Sequence, residues 1–300
     1  MKKVSKIQAH LFLLAASVIY GCNFIISKIA MPEFIGPKAF IFLRILGGAF
    51  LFYLLHAFTV KEKVTDKKDY IRLFFAGMFG ACFNQLIFFE GLAKTSSINA
   101  SVIVVSSPVI VLICSAIFLK EKVNIKKVIG IALGLSGAVL MIGLNGIAFH
   151  SGSVEGDIMV LINACFYSIY LVITKPLLAK YHPFTLMKWV FLFAIPIVAL
   201  ITWKDVEQTN WVEIPSHIWL SISYVVIGNT FLAYLFYAIA MQTVNASTAS
   251  FYIYFQPMIA GFIAVFFLNE ELKAVQIIAA VFIFLGVYLI SGKKKKINQS

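Results

Sequence analysis

Charge is what this chain lacks most. Asp, Glu, Lys and Arg make up 13% of its 300 residues, against about 25% in soluble domains. A soluble fold of this length needs a charged exterior, so that class is excluded. Acidic residues are the scarcer sign, 13 against 25 basic ones, and the formal net charge is +12. Cysteine is nearly absent. Cys22, Cys82, Cys114 and Cys165 each lie in an apolar run with no CxxC pair, which excludes a zinc knuckle or a disulfide framework. His10, His56, His150, His182 and His217 are scattered at run ends and in loops, and no HExxH, GxSxG or paired intramembrane aspartate occurs. The sequence therefore offers no catalytic set for a membrane-embedded enzyme, no metal site and no implied cofactor. No phosphate-cradling glycine loop is present, so direct use of ATP is not expected. The basic MKKVSK start resembles a signal peptide. The apolar run from Ala9 to Ile29 outlasts a signal core of about 7–15 residues, however, and no A-x-A site closes it. It reads as a first membrane span.

What is present is apolar. Hydrophobic residues reach 61%, phenylalanine alone occurs 29 times, and mean hydropathy is +0.93. Lipid solvates such surface and water does not. About 20 apolar residues cross a bilayer as a helix. The runs define ten spans at 9–29, 38–59, 71–93, 98–119, 126–144, 157–175, 185–203, 217–240, 247–268 and 273–291. Their length, and the absence of dyad alternation, favour helices over a barrel. With the N-terminus inside, nineteen Lys and Arg fall in cytoplasmic segments and four outside, leaving Lys28 and Arg44 within spans. That bias puts both termini in the cytoplasm. It also explains the positive charge without nucleic acid as a partner. The lysines at 293–296 form a basic tail that can touch anionic lipid.

The chain also repeats itself. At an offset of 149, Ala100-Ser101 falls on Ala249-Ser250, Pro108 on Pro257, Phe118-Leu119 on Phe267-Leu268, and Glu121 on Glu270. At 147, Tyr20 and Lys28 fall on Tyr167 and Lys175; at 148, Gly80 falls on Gly228. Two units of five spans follow, residues 1–146 and 155–292, with a cytoplasmic tail 293–300. Five is odd, so the second unit enters the membrane inverted. The expected fold is thus an all-α integral membrane protein, ten transmembrane helices in two inverted five-helix repeats. Inverted repeats place a solute site at the midplane between them and permit alternating access.

Several motifs carry a family resemblance: TyrGlyCysAsnPheIleIleSerLys at 20–28, PheLeuArgIle at 42–45, and Pro108 followed by PheLeuLysGlu at 118–121. The last recurs as Pro257 and PheLeuAsnGlu at 267–270, and a glycine-rich run at 130–143 follows the first copy. In this ordered set the chain resembles the drug/metabolite transporter superfamily, specifically its ten-helix EamA family. The resemblance implies a multi-pass protein of the bacterial inner membrane that exports or exchanges amino acids or related metabolites. Multidrug efflux of cations is the alternative. The superfamily's four-helix members use a glutamate in the first span, and this first span has no acidic residue. A channel or sensor is an alternative of another class.

Polar groups within spans are costly and need a reason. Tyr20, Asn23, Phe24, Asn84, Asn163, Tyr167, Tyr170, Tyr252 and Gln256 are the expected substrate-binding set, with Gln85 and Asn229 as further deep polar positions. Each amide is otherwise an interhelical hydrogen bond. Lys28, Arg44 and Glu90 fall near external span ends. They are either a gate or carboxylate clamp, or a structural ion pair with Lys28 snorkelling. Pro108 and Pro257 are candidate hinges. Glu121 is expected to pair with a loop, and GlyIleAlaLeuGly at 130–134 to pack helices closely. The expected partners are a small-molecule substrate and the bilayer, for a monomer or homodimer.

Overall fold

Long apolar runs with few helix breakers fold as helices, because the backbone must bond within itself where water is excluded. A computed structural model describes residues 4–95, 100, 103–142, 154–259 and 274–291. Among these residues the elements are helical. They are α1 (Lys6–Ala30), α2 (Pro37–Thr59), α3 (Lys67–Lys94), α4 (Ser107–Phe118) and α5 (Ile125–Ile142), then α6 (Val154–Lys180), α7 (Pro183–Gln208) and α8 (Ser216–Met241). α9 opens at Ala246–Ser250, tightens into the 3-10 turn Phe251–Tyr254 and resumes to residue 259. α10 is Ala274–Ser291.

Local chemistry sets the helix ends. Ser5 and Gln8 form a reciprocal capping box at the start of α1. Pro37 and Pro183 open α2 and α7, where a missing N–H costs nothing. Glu155 and Asp157 occupy the first turn of α6, where the helix dipole favours negative charge. Several helices run past the expected spans: α3, α6 and α7 extend into polar turns that continue the backbone bonding beyond the hydrocarbon. α1, α2, α3, α6, α7 and α8 are long and apolar enough to cross a membrane. α4, α5, α9 and α10 stand where the other four spans are expected. The remainder of span 9, the PheLeuAsnGlu copy at 267–270 with Glu270, most of the link at 145–156, Lys273 and the basic tail lie outside the described residues.

The expected proline kinks take another form. Pro108 stands in the first turn of α4, so it starts that helix rather than bending its interior. Pro257 stands in the first turn of the α-helix that resumes after the 3-10 turn of α9. Pro176 and Pro196, by contrast, sit inside α6 and α7.

The packing follows one pattern. α1 packs on α8 and α3 on α6, while α2 packs on α7, α4 on α9 and α5 on α10. Exchanging α1–α5 with α6–α10 maps this set of pairs onto itself. A π-helical segment interrupts α3 at Met78–Cys82 and α8 at Tyr224–Leu232, around the equivalent Gly80 and Gly228. The small residues at 130–134 do pack closely: a Cβ on Gly286 of α10 would stand 2.6 Å from the Gly130 carbonyl oxygen. Glu121 is held by Lys127 and Ser247 and accepts a 3.1 Å bond from Asn245. It thereby ties the α4–α5 loop to the start of α9, as expected of a loop pair. Phe50, Phe58 and Leu200 point outward and are exposed, a cost in water that hydrocarbon removes.

Candidate functional site

Where α1, α2, α3, α4, α6, α8 and α9 converge, polar side chains face inward and backbones cannot close the space. They leave a cavity of about 80 Å³, room for several waters. Its wall includes Tyr20, Asn23 and Phe24 from α1, Arg44 from α2 and Asn84, Gln85, Phe88 and Phe89 from α3. Ser107 comes from α4, Asn163 and Tyr167 from α6, Asn229 and Tyr234 from α8, and Gln256 from α9. Both halves of the chain contribute.

Some of these polar groups are bonded to other protein groups and others are not. Asn84 and Asn163 bridge α3 and α6 reciprocally, each Nδ2 donating to the other's backbone oxygen at 3.2 and 2.9 Å. Gln85 Nε2 donates to Asn84 Oδ1 at 2.9 Å and to the Tyr234 hydroxyl, which in turn donates to the Gly80 oxygen at 2.7 Å. Ser27 Oγ donates to Asn23 Oδ1 at 2.9 Å. Asn229 Oδ1 and Ser107 Oγ are buried without a hydrogen-bond partner among the described residues.

Arg44 is held from two sides. Its Nε donates to Thr230 Oγ1 at 2.9 Å, and its guanidinium carbon lies 4.5 Å from the Phe89 ring centroid, a cation–π contact. Thr230 Oγ1 donates to the Val225 oxygen at 2.9 Å, five residues back, a register supplied by the π-helical segment of α8. The side chain is 1% exposed, yet Nη1 has no hydrogen-bond partner among the described residues. Among the described lining residues it is the one charge.

Of the expected substrate set, Tyr20, Asn23, Phe24, Asn84, Asn163, Tyr167 and Gln256 line this cavity. Tyr170 and Tyr252 do not. Tyr170 packs behind the wall, its ring against Gly80 and 6.0 Å from that of Tyr234. Tyr252 faces His10, whose Nδ1 is 2.7 Å from its hydroxyl. Phe88, Phe89, Ser107 and Tyr234 were not anticipated; in so aromatic a chain nothing marks such residues out. Gln85 and Asn229 were read as deep polar positions and do line the wall.

Lys28, Arg44 and Glu90 are not gathered into one cluster, and among the described residues no salt bridge joins any two of them. Lys28 Nζ donates to the Thr95 oxygen at 2.8 Å, capping the C-terminus of α3. Arg44 sits a third of the way along α2, deeper than a span end. Glu90 is half-buried on α3 and is not part of the described wall.

The sequence pattern of the EamA-like transporter family matches residues 7–143 and again 154–292. The chain belongs to the EamA-like transporter family. It is a multi-pass membrane transporter of that family. It is 27% identical to the uncharacterized transporter YyaM of Bacillus subtilis (strain 168), over 94% of this chain and 93% of that protein. An uncharacterized transporter of Archaeoglobus fulgidus is 24% identical, over 96% and 98%. A solved crystal structure shares the fold with a TM-score of 0.76 at 18% identity, over 95% of this chain and 98% of that one.

Proposed function

We propose that this transporter is a carrier of amino acids or their derivatives in a bacterial cell membrane, working by export or exchange. One observation carries the reading: polar side chains from both halves of the chain line one cavity, and some of them have no hydrogen-bond partner among the described residues. A structural core would satisfy those groups. A solute site leaves them for the solute.

The carrier has two five-helix repeats, residues 1–146 and 155–292, inverted about the bilayer midplane with both termini cytoplasmic. The family pattern occurring twice supports this. So does the packing, whose pairs are preserved when the halves are exchanged. Alternating access then follows from rocking one repeat against the other around the cavity. Pro108 and Pro257, at breaks in equivalent helices, serve as hinges.

The test is counterflow in proteoliposomes loaded with one amino-acid class at a time. A carrier gives saturable uptake accelerated by solute on the far side. Linear, unsaturable flux without trans-acceleration would instead identify a channel.

A further inference from the structure

Resting on that carrier reading, we propose that the solute carries a carboxylate and that the Arg44 guanidinium receives it. Arginine is charged at any physiological pH, and burying an unpaired charge is expensive. The usual remedy is a neighbouring carboxylate. Here the partners of Arg44 are a hydroxyl, Thr230, and a ring face, Phe89, neither of which carries negative charge. No described lining residue is acidic. The described cavity lining therefore carries a net positive charge that an anionic group neutralises and a cationic solute meets as repulsion.

The geometry narrows the class further. Nε is spent on Thr230, and among the described residues no partner takes Nη1, so the guanidinium keeps terminal N–H donors. Charge-assisted donors of this kind suit a carboxylate. Asn229 is adjacent to Thr230 in sequence and presents an unpartnered amide oxygen, 3% exposed, in the same wall. That oxygen can accept a bond from an ammonium group but not from a carboxylate. Phe24, Phe88, Phe89 and Ile253 give the wall an apolar side. A compact α-amino acid with an uncharged side chain matches all three features, with its carboxylate on Arg44 and its amine on Asn229.

The experiment is a thermal-shift series on the purified full-length chain in detergent. The probes are L-amino acids with uncharged side chains, their carboxamides, and the matching acids lacking the amine. At least one acid should raise Tm while its carboxamide does not, and Arg44→Gln should weaken that binding at least tenfold. Asn229→Ala should weaken binding of the amino acid but not of the acid lacking the amine. Arg72→Gln, remote from the cavity, should bind as wild type. Equal stabilisation by acids and carboxamides, or unchanged acid binding by Arg44→Gln, overturns the proposal while leaving the carrier reading intact. The chain has two arginines, Arg44 and Arg72. In Arg72→Gln, therefore, phenylglyoxal can label only Arg44, and the acid should protect it. Labelling that the acid does not slow overturns the proposal without requiring an Arg44 variant to fold. Failure of every probe together with absence of counterflow would remove the carrier reading itself.

Discussion

The two halves of the molecule share a frame and differ in what they hang on it. Lys28 in the last turn of α1 caps the end of α3 through the Thr95 oxygen. Lys175, its equivalent on α6, caps the end of α8 through the oxygens of Met241 and, at 2.6 Å, Val244. Both α3 and α8 carry a π-helical segment at the same level. The cavity charge has no such counterpart. Arg44 comes from α2, whereas the matching stretch of α7 holds Val190 and Phe191, both fully buried and apolar. The second half instead supplies Thr230 to the guanidinium and Asn229 and Tyr234 to the cavity wall. Backbone architecture and helix capping obey the exchange of halves, and the charge in the cavity wall does not. A carrier needs both: near-symmetry lets two access states lie close in energy, and asymmetry lets one solute be held in one orientation.

Equivalent positions in the halves allow that comparison to be tested. The largest effect is expected at the paired glycines. A Cβ on Gly80 would stand 2.2 Å from the Tyr170 ring, while one on Gly228 finds its nearest neighbour at 3.5 Å. Gly80→Ala should lower stability by about 1–3 kcal/mol through overpacking and Gly228→Ala should be near neutral, read as Tm in detergent. Equal shifts would mean that the π-helical segments are packed alike after all. Next come the amides: Asn163→Ala and Gln256→Ala should each raise apparent KM for counterflow several-fold, with expression retained. Unchanged kinetics in both would remove these residues from the site.

A smaller change is expected at the junction of α3 with the α6–α7 loop. The buried Asp69 carboxylate accepts from Lys180 at 2.8 Å and from Tyr181 at 2.9 Å. Burial and this carboxylate push the Tyr181 phenol up to about 12, so it remains a donor throughout the physiological range. Because Lys180 is half exposed, Asp69→Asn should cost only about 1–2 kcal/mol. The smallest energy belongs to the lysine caps, roughly 0.3–1 kcal/mol each. Their informative property is direction. On inverted repeats, Lys28→Met and Lys175→Met should shift cavity accessibility toward opposite membrane faces in a cysteine-labelling assay. Shifts of the same sign would break the proposed inversion.

The all-helical membrane class was legible in the sequence because the length of the apolar runs is a property of the whole chain. Much of the cavity was legible for a different reason. An amide or phenol within an apolar run, such as Asn23, Asn163 or Gln256, is costly unless it faces something polar. That logic fails where direction depends on local backbone. Tyr252 lies close to Gln256 in sequence, but the 3-10 turn that carries it points its ring to His10. Phe88 and Phe89 have no signal among so many phenylalanines. The π-helical segments have none either, although one of them gives Thr230 the register from which it receives Arg44. Arg44 itself was visible as a charge within a span. Its depth became clear only from the way α2 packs on α7 and α8.

The most direct test of the cavity as the transport site is a single reactive cysteine within it. Ser107 lines the cavity and its hydroxyl has no hydrogen-bond partner. Ser107→Cys would be placed in a chain whose four native cysteines are replaced, reconstituted, and labelled with a methanethiosulfonate reagent. Labelling should abolish counterflow, and saturating solute should slow the labelling. Undiminished counterflow by fully labelled protein would contradict the account.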